Sequence, residues 1–283
     1  MSAAPARPPA VAGQFYDADG RRLAAQVEAC FLDRRGPGEL PVRHRSSGRR
    51  IRAIVVPHAG YQYSGAIAAK AYAAIAAERP PGTVLVLGVD HHGLSQIAAL
   101  SDRDWQTPLG PTHLDHDLAR SLAQPPIVVD EEAHRAEHSI EVQLPFLEYV
   151  LPKPRFVPLM VRFGSAATLH QVGSVVRNAI RGRDVLLVAS TDFSHYVPST
   201  VAERLDRMAI DRILALDADG LYETVRRHDI SMCGVAPTTV LLAALAGERL
   251  SARLLAWGHS GEVERMRDVV GYAAVLISSE TDL

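Results

Sequence analysis

The stretch that decides the fold is AIVVPHAGYQYSG, from Ala53 to Gly65, in which a short apolar run ends directly on a histidine. The same arrangement recurs in VLVLGVDHHG, from Val84 to Gly93, and in VLLVASTDFSHY, from Val185 to Tyr196. Continuous apolar runs of this length are typical of strands that are buried on both faces of a parallel sheet. Such runs alternate with helical patterns along the rest of the chain, which predicts an α/β fold.

The same reasoning assigns further strands and helices around these three stretches. The predicted strands are Ala53–Pro57, Thr83–Val89, Phe156–Val161, Val185–Ser190, Leu254–Trp257 and Val269–Ile277. The predicted helices are Leu23–Leu32, Ala66–Ala77, His116–Leu122, Ile140–Val150, Leu169–Ile180, Ala202–Leu216 and Thr238–Ala246. We expect a single domain over residues 1–283, with an ordered core from about residue 8 to 278. Its sheet is expected to be mixed or mostly parallel, with helices on both faces.

Three of the predicted strands deliver a histidine at the carboxyl end, namely His58, His91 and His195. Ligands of open α/β sheets bind at the carboxyl ends of the strands, so these side chains meet if the strands are parallel. One histidine after a strand is more often a turn or core residue, but three at equivalent positions favour a shared site. Imidazole suits iron, copper, zinc and nickel, and two histidines with one anionic ligand leave coordination positions open for a substrate.

The third ligand is not settled by the pattern, which offers Glu141 and Cys233. Cys233 precedes a predicted helix, whose N-terminal dipole would favour a thiolate, but a free cysteine is commonly a small buried hydrophobic residue. His138 and Glu141 lie three residues apart, either as a capping and ion-pair motif with Ser139 as the cap, or as acid/base groups at the pocket wall. Asp192 could orient one of the histidines.

The composition is not that of a disordered or a fibrous protein. The chain has 283 residues, of which 47% are hydrophobic and 22% charged, and its formal net charge is -2. Such values are ordinary for a globular protein and give no electrostatic reason to expect a nucleic-acid partner. The cationic run from Arg43 to Arg52 is interpreted as a solvated loop in preference to a phosphate-binding patch.

Location follows from two further features of the sequence. No apolar run approaches the roughly 20 residues of a membrane helix, and the first residues lack the apolar core of a secretory signal, so no membrane association is expected. There are two cysteines, and Cys30 is interpreted as core packing. This number excludes a disulfide framework and predicts a reducing, cytoplasmic setting.

At its candidate site residues the sequence resembles the Memo family, whose bacterial and archaeal members are labelled AmmeMemoRadiSam system protein B. The resemblance rests on six motifs in the family's order, which cover nearly the whole chain. They are AVAGQFYDAD (Ala10–Asp19), VVPHAGYQYSG (Val55–Gly65), DHHG (Asp90–Gly93), DEEAHRAEHSIEVQLPF (Asp130–Phe146), STDFSHY (Ser190–Tyr196) and SMCG (Ser231–Gly234).

The resemblance implies the fold of the class III extradiol ring-cleaving dioxygenases, a single α/β domain with the metal at the carboxyl edge of the sheet. Those enzymes hold Fe(II) with two histidines and one glutamate, and Memo proteins are similar but have cysteine in place of the glutamate. By this resemblance, His58, His91 and Cys233 are the metal ligands and His195 is an acid/base group. Two departures are Asp90, where the family usually has serine, and the loop Gly234–Pro237, which lacks the basic pair of animal members.

Three functions remain open. The first is a redox enzyme with one Fe(II) or copper ion, in which Tyr61 or Tyr196 offers a hydroxyl to a bound oxyanion and His92 also faces the substrate. The second is a non-catalytic module that binds a peptide or protein in the crevice. The third is a zinc hydrolase. The ligand is expected to be a small molecule or a peptide, and the family label implies radical SAM and AMMECR-type partner proteins.

Overall fold

The structure is a computed structural model that describes residues 5–43 and 48–280. Among the described residues the helices are α1 (Gly20–Leu32), α2 (Tyr61–Ala77), α3 (His116–Leu122), α4 (Glu131–His134), α5 (Leu144–Val150), α6 (Ala166–Ile180), α7 (Ser199–Leu214), α8 (Ala218–Arg227) and α9 (Val235–Leu245). The strands there are β1 (Ile51–Val56), β2 (Thr83–Val89), β3 (Ala98–Leu100), β4 (Trp105–Thr107), β5 (Gly110–Leu114), β6 (Ile127–Val129), β7 (Arg155–Val161), β8 (Val185–Ser190), β9 (His195–Pro198), β10 (Leu250–His259) and β11 (Asp268–Ser279).

The described strands form one mixed sheet with a parallel centre. Its main order is β10-β11-β1-β8-β2-β7-β3-β6, with β4, β5 and β9 attached at the sides. The central strands β1, β8, β2 and β7 are mutually parallel, and β11 and β3 flank them in antiparallel orientation. One apolar core lies under α1, α2 and α5, and a second lies on the opposite face under α3 and α6 to α9. The predicted α/β fold with helices on both faces is therefore confirmed.

The central strands are apolar throughout because both of their faces are covered. Every residue of β2 and β8 is buried, which explains the continuous apolar runs from which they were predicted. Ile140 packs so closely on Gly88 of β2 that a side chain would not fit there, because a Cβ at this position would lie 2.4 Å from Cγ1 of Ile140. This glycine lets the chain around Ser139 pack directly on the end of β2.

Two details of the prediction are wrong around the start of α5. The predicted helix Ile140–Val150 begins as a single 3₁₀ turn at Glu141–Gln143, and α5 itself starts at Leu144. Ser139 does not cap it, because its hydroxyl pairs with the backbone of Val89, accepting from N–H at 2.9 Å and donating to C=O at 3.1 Å. The short strands β3 to β6 and β9 were not predicted, since three to five residues are too few for a clear pattern.

Part of the cationic run lies outside the described residues, namely 44–47. Of the arginines that follow, Arg49 forms an ion pair with Asp184, and Arg52 pairs with Glu248 at 3.1 Å. These contacts neutralise two cations of the run. No helix in the described part of the chain is long and apolar enough to cross a lipid bilayer.

The buried carboxylate of Glu141 anchors the N-terminal segment, residues 7–16, to the rest of the domain. Its Oε2 accepts from Nη1 of Arg7 at 2.7 Å and from the Ala10 N–H at 2.8 Å. Its Oε1 accepts from the Val11 N–H at 3.0 Å and from the Tyr16 hydroxyl at 2.6 Å. Three of these donors belong to the first motif of the sequence and Arg7 precedes it, so one carboxylate contacts the segment from Arg7 to Tyr16 at four points.

We expect Glu141→Gln to lower the free energy of unfolding by about 3–5 kcal/mol, because it leaves the buried guanidinium of Arg7 without its counter-charge. Urea denaturation followed by circular dichroism measures the change. The matched control is Glu132→Gln, which removes an exposed ion pair with Arg135 and should cost less than about 1 kcal/mol. Equal effects of the two substitutions would contradict the anchoring role.

Candidate metal centre

Three strand ends and one helix start meet at the carboxyl edge of the sheet. His58 follows β1 and His91 follows β2, while β8 lies between these strands and leads into Asp192. Cys233 comes from the loop directly before α9. The donor atoms of His58, His91 and Cys233 all lie within 4.8 Å of one another. Of the three strand-end histidines expected to meet, His58 and His91 come together in this group, which could hold a metal ion, whereas His195 is not among its donors.

His58 is the buried member of this group, with 2% of its surface exposed. Its Nδ1 lies 3.0 Å from the Ser190 hydroxyl oxygen, and its Nε2 lies 3.3 Å from Sγ of Cys233. Burial lowers the pKa of His58 well below its usual value, and the nearby His138 and His91 act in the same direction. The ring is therefore neutral, which is the form that binds metal ions.

His91 is oriented by Glu137. One carboxylate oxygen accepts from the His91 ring Nδ1–H at 3.0 Å, and the other accepts from its backbone N–H at 2.9 Å. Burial opposes ionisation of Glu137, but the hydrogen bonds that its carboxylate accepts from the His91 ring and from the Ser139 backbone hold its pKa below the ordinary value. The carboxylate stays ionised, directs the proton of His91 to Nδ1 and leaves Nε2 for a metal.

Cys233 supplies the sulfur of the group. Its Sγ accepts a hydrogen bond from the Asp192 backbone N–H at 3.2 Å. Burial raises the pKa of the Cys233 thiol, and the Asp192 carboxylate raises it further. The dipole of α9, expected to favour the thiolate, therefore does not decide its ionisation. A metal cation beside the sulfur would reverse this balance, because coordination deprotonates a thiol.

The donor set fits one metal ion. A tetrahedral ion with metal–nitrogen bonds of about 2.0–2.1 Å and a metal–sulfur bond of about 2.3 Å separates its donors by roughly 3.5 Å. The His58–Cys233 distance of 3.3 Å agrees with this spacing. A second combination, His91 with Glu137 and His138, also lies within 4.8 Å. Glu137 already accepts from two further N–H groups, those of His138 and Ser139, so we interpret it as a group that orients His91.

Asp192 and His195 lie beside the donor group. The Asp192 carboxylate accepts from the backbone N–H of His58 at 2.8 Å, so it positions this histidine through the main chain and not through the ring. Burial raises the pKa of Asp192 to about 6. The ring Nδ1–H of His195 donates to the Ser231 carbonyl at 2.8 Å, which leaves its Nε2 with a lone pair.

His138 and Glu141, predicted as a pair, have different surroundings. The His138 ring stacks on His91 at 4.7 Å between centroids and meets the edge of His58 at 5.4 Å. Burial lowers the pKa of His138 to about 4. Glu141 instead holds the N-terminal segment, and its four hydrogen bonds leave no free position toward the donor group.

The residues predicted to face a substrate differ in exposure and in hydrogen bonding. Tyr61 is 4% exposed, and its hydroxyl donates to the Val142 carbonyl at 2.6 Å. Tyr196 is 78% exposed and has a φ of 54°, an uncommon conformation for a residue with a side chain. His92 is exposed, with its Nε2 3.3 Å from the Ala136 carbonyl. Asp90 accepts from the backbone N–H groups of Leu94 and Ser95, so its charge stabilises the loop after β2.

Three residues near the donor group were not predicted from the sequence. Glu137 was passed over in favour of Glu141, although its position next to His138 was a usable signal. Ser190 was seen only as a strand end. The Phe15 ring packs against the His138 ring at 4.6 Å between centroids. Nothing in the local pattern around Phe15 indicates this contact, because Phe15 and His138 are 123 positions apart in the chain.

The model of the Memo-like protein family matches residues 7–276. The chain belongs to this family. A MEMO1 family protein of Methanopyrus kandleri is 42% identical over 278 residues, which cover 95% of this chain and 98% of the relative. A MEMO1 family protein of Methanothermobacter thermautotrophicus is 40% identical over 275 residues, covering 94% and 98%.

One solved structure is also similar to this Memo-like chain. It is an uncharacterized protein from Escherichia coli K12, with a TM-score of 0.49 and 15% sequence identity, covering 79% of this chain and 99% of that one. A similarity this low does not bear on the site. The family assignment rests on the match along the sequence, and the resemblance expected from the six motifs is confirmed.

We expect Glu137→Gln to weaken metal binding by about 10–100-fold, because the neutral amide no longer fixes the proton of His91 on Nδ1. Competition with a chromogenic chelator measures the affinity. Glu132→Gln, an exposed glutamate on α4, is the matched control and should bind metal as the wild type does. An unchanged affinity in Glu137→Gln would show that this carboxylate does not support a metal ligand.

Proposed function

We propose that this Memo-like protein is an enzyme that works with one redox-active metal ion, Fe(II) or copper, held by His58, His91 and Cys233. The observation that supports the proposal is the approach of two imidazole nitrogens and one sulfur within 4.8 Å at the carboxyl edge of the sheet. Thiolate is softer than carboxylate and favours Cu(I), zinc or low-valent iron. When bound, such an ion would supply electron exchange with a substrate at its open coordination positions.

In this proposal His195 moves the proton. Its Nδ1–H is committed to the Ser231 carbonyl, and its backbone N–H is committed to the Ser231 hydroxyl at 2.7 Å. The ring is thereby fixed with Nε2 free, and Nε2 can take a proton from a substrate hydroxyl and return it. Tyr196, exposed directly beside it, would contact the substrate at the mouth of the crevice.

Asp192 would hold two proposed ligands in place without touching the metal. Its carboxylate accepts from the His58 N–H, and its own N–H donates to Sγ of Cys233. One residue thus fixes the distance between the first and third ligands. His138 would cover one face of His91, because the two rings stack, and Phe15 would support it by packing against the His138 ring.

Metal content tests the proposal. We expect close to one iron or copper ion per chain when the protein is expressed in iron-replete or copper-replete cells, measured by mass spectrometry. The ion should be lost in His58→Ala, His91→Ala and Cys233→Ala, because each substitution removes one donor. His113→Ala, an exposed histidine paired with Asp104, is the control and should keep the ion.

The outcomes distinguish the three functions. Zinc from both kinds of cell would favour a hydrolase, since two histidines and one cysteine are also an acceptable catalytic zinc set. A folded wild-type protein without metal would overturn the proposal and favour a binding module.

We expect His195→Ala to keep its metal, because its Nε2 is not among the clustered donor atoms. For any substrate that the wild-type protein turns over, kcat should fall by about 10²–10⁴-fold, as for the loss of a general acid/base. Metal analysis and steady-state kinetics on the same preparation check both parts. Loss of the metal in this variant would make His195 a ligand instead.

A further inference from the structure

Ser190, the last residue of β8, lies fully buried beneath His58. Its hydroxyl oxygen has three polar neighbours: the Ser139 carbonyl oxygen at 2.6 Å, Nε2 of Gln143 at 2.8 Å and Nδ1 of His58 at 3.0 Å. A serine hydroxyl has one proton and two lone pairs. One neighbour must therefore accept and the other two must donate.

Gln143 is a donor to Ser190, because its amide orientation is fixed independently. Its nitrogen lies 2.9 Å from the Pro57 carbonyl oxygen, which can only accept. Its oxygen accepts from the Tyr72 hydroxyl at 2.8 Å. The two Nε2 protons consequently go to Pro57 and to Ser190.

The Ser190 proton goes to Ser139, because a carbonyl can only accept and this contact is the shortest of the three. The remaining lone pair of Ser190 then faces Nδ1 of His58, so Nδ1 donates this hydrogen bond and carries a proton. The lone pair of His58 is left on Nε2, which is the atom 3.3 Å from Cys233.

We propose that this buried network selects the metal-binding tautomer of His58 before any metal arrives. Ser190 is the positioning residue: the Ser139 carbonyl accepts its proton and Gln143 donates to one of its lone pairs, so only the other lone pair faces His58. The inference rests on the proposed metal site, but it concerns the metal-free protein. A histidine whose proton is already on Nδ1 binds an ion at Nε2 without first exchanging a proton.

The same network ties His58 to the strand that carries His91. Ser139 presents its carbonyl to Ser190 while its hydroxyl pairs with the Val89 backbone at the end of β2. Gly88 permits this contact, because a Cβ there would lie 2.7 Å from the Ser139 hydroxyl oxygen. The tautomer of one proposed ligand is thus fixed by the backbone that delivers the other.

The test reads the tautomer directly. Nitrogen-15 NMR of histidine-labelled, metal-free protein gives the protonation of each ring nitrogen, with His58 assigned by comparison with His58→Ala. We expect the wild type to carry the proton on Nδ1. In Ser190→Ala this preference should be lost, and zinc affinity by chelator competition should fall about 10–100-fold.

Tyr72→Phe is the matched control. It removes a buried hydroxyl from the same network but leaves the contacts of Gln143 with Pro57 and Ser190 in place. We expect it to unfold at lower urea concentration, with an unchanged His58 tautomer and zinc affinity.

Two results would overturn the inference: a wild-type His58 protonated on Nε2, or equal losses of zinc affinity in Ser190→Ala and Tyr72→Phe. If no variant binds metal but the tautomer changes as expected, the proposed function fails and the tautomer inference stands.

Discussion

Parallel pairing of β1, β8 and β2 is the constraint on which the rest of the site depends. β8 pairs in parallel with β1 over Ala53–Val56 and with β2 over Thr83–Leu87, so the carboxyl ends of the three strands reach the same edge of the sheet. The pairing requires helices on both faces, and the two apolar cores provide them. Any change that opened this centre would separate the donor atoms, whatever their identities.

The segment from Glu137 to Gln143 holds the elements that meet at this edge of the sheet in place. Four buried polar side chains at alternate positions each hold a different element: Glu137 holds His91, Ser139 holds the end of β2, Glu141 holds the N-terminal segment, and Gln143 holds Ser190. Each of these groups is paired, so none is a desolvated polar group without a partner. This segment therefore positions the residues around the site, although it supplies none of the proposed ligands.

Burial determines the charge of the site. It keeps His58 and His138 neutral and raises the pKa values of the Cys233 thiol and the Asp192 carboxyl group. Glu137 is the exception, because hydrogen bonds to its carboxylate outweigh the cost of desolvation. A cation bound beside these neutral imidazoles and the protonated thiol would change the protonation of the group, because a bound cation favours loss of the thiol proton.

The sequence by itself determined the α/β fold and the strand-end position of His58 and His91, because both follow from local patterns of apolar and polar residues. Its six motifs also indicated the family. Only the tertiary structure decided which carboxylate serves the site. Glu137 contacts a histidine 46 positions away, whereas Glu141 pairs with an arginine 134 positions away. Both glutamates lie within three residues of His138, and their roles differ because packing against distant parts of the chain determines the partner of each.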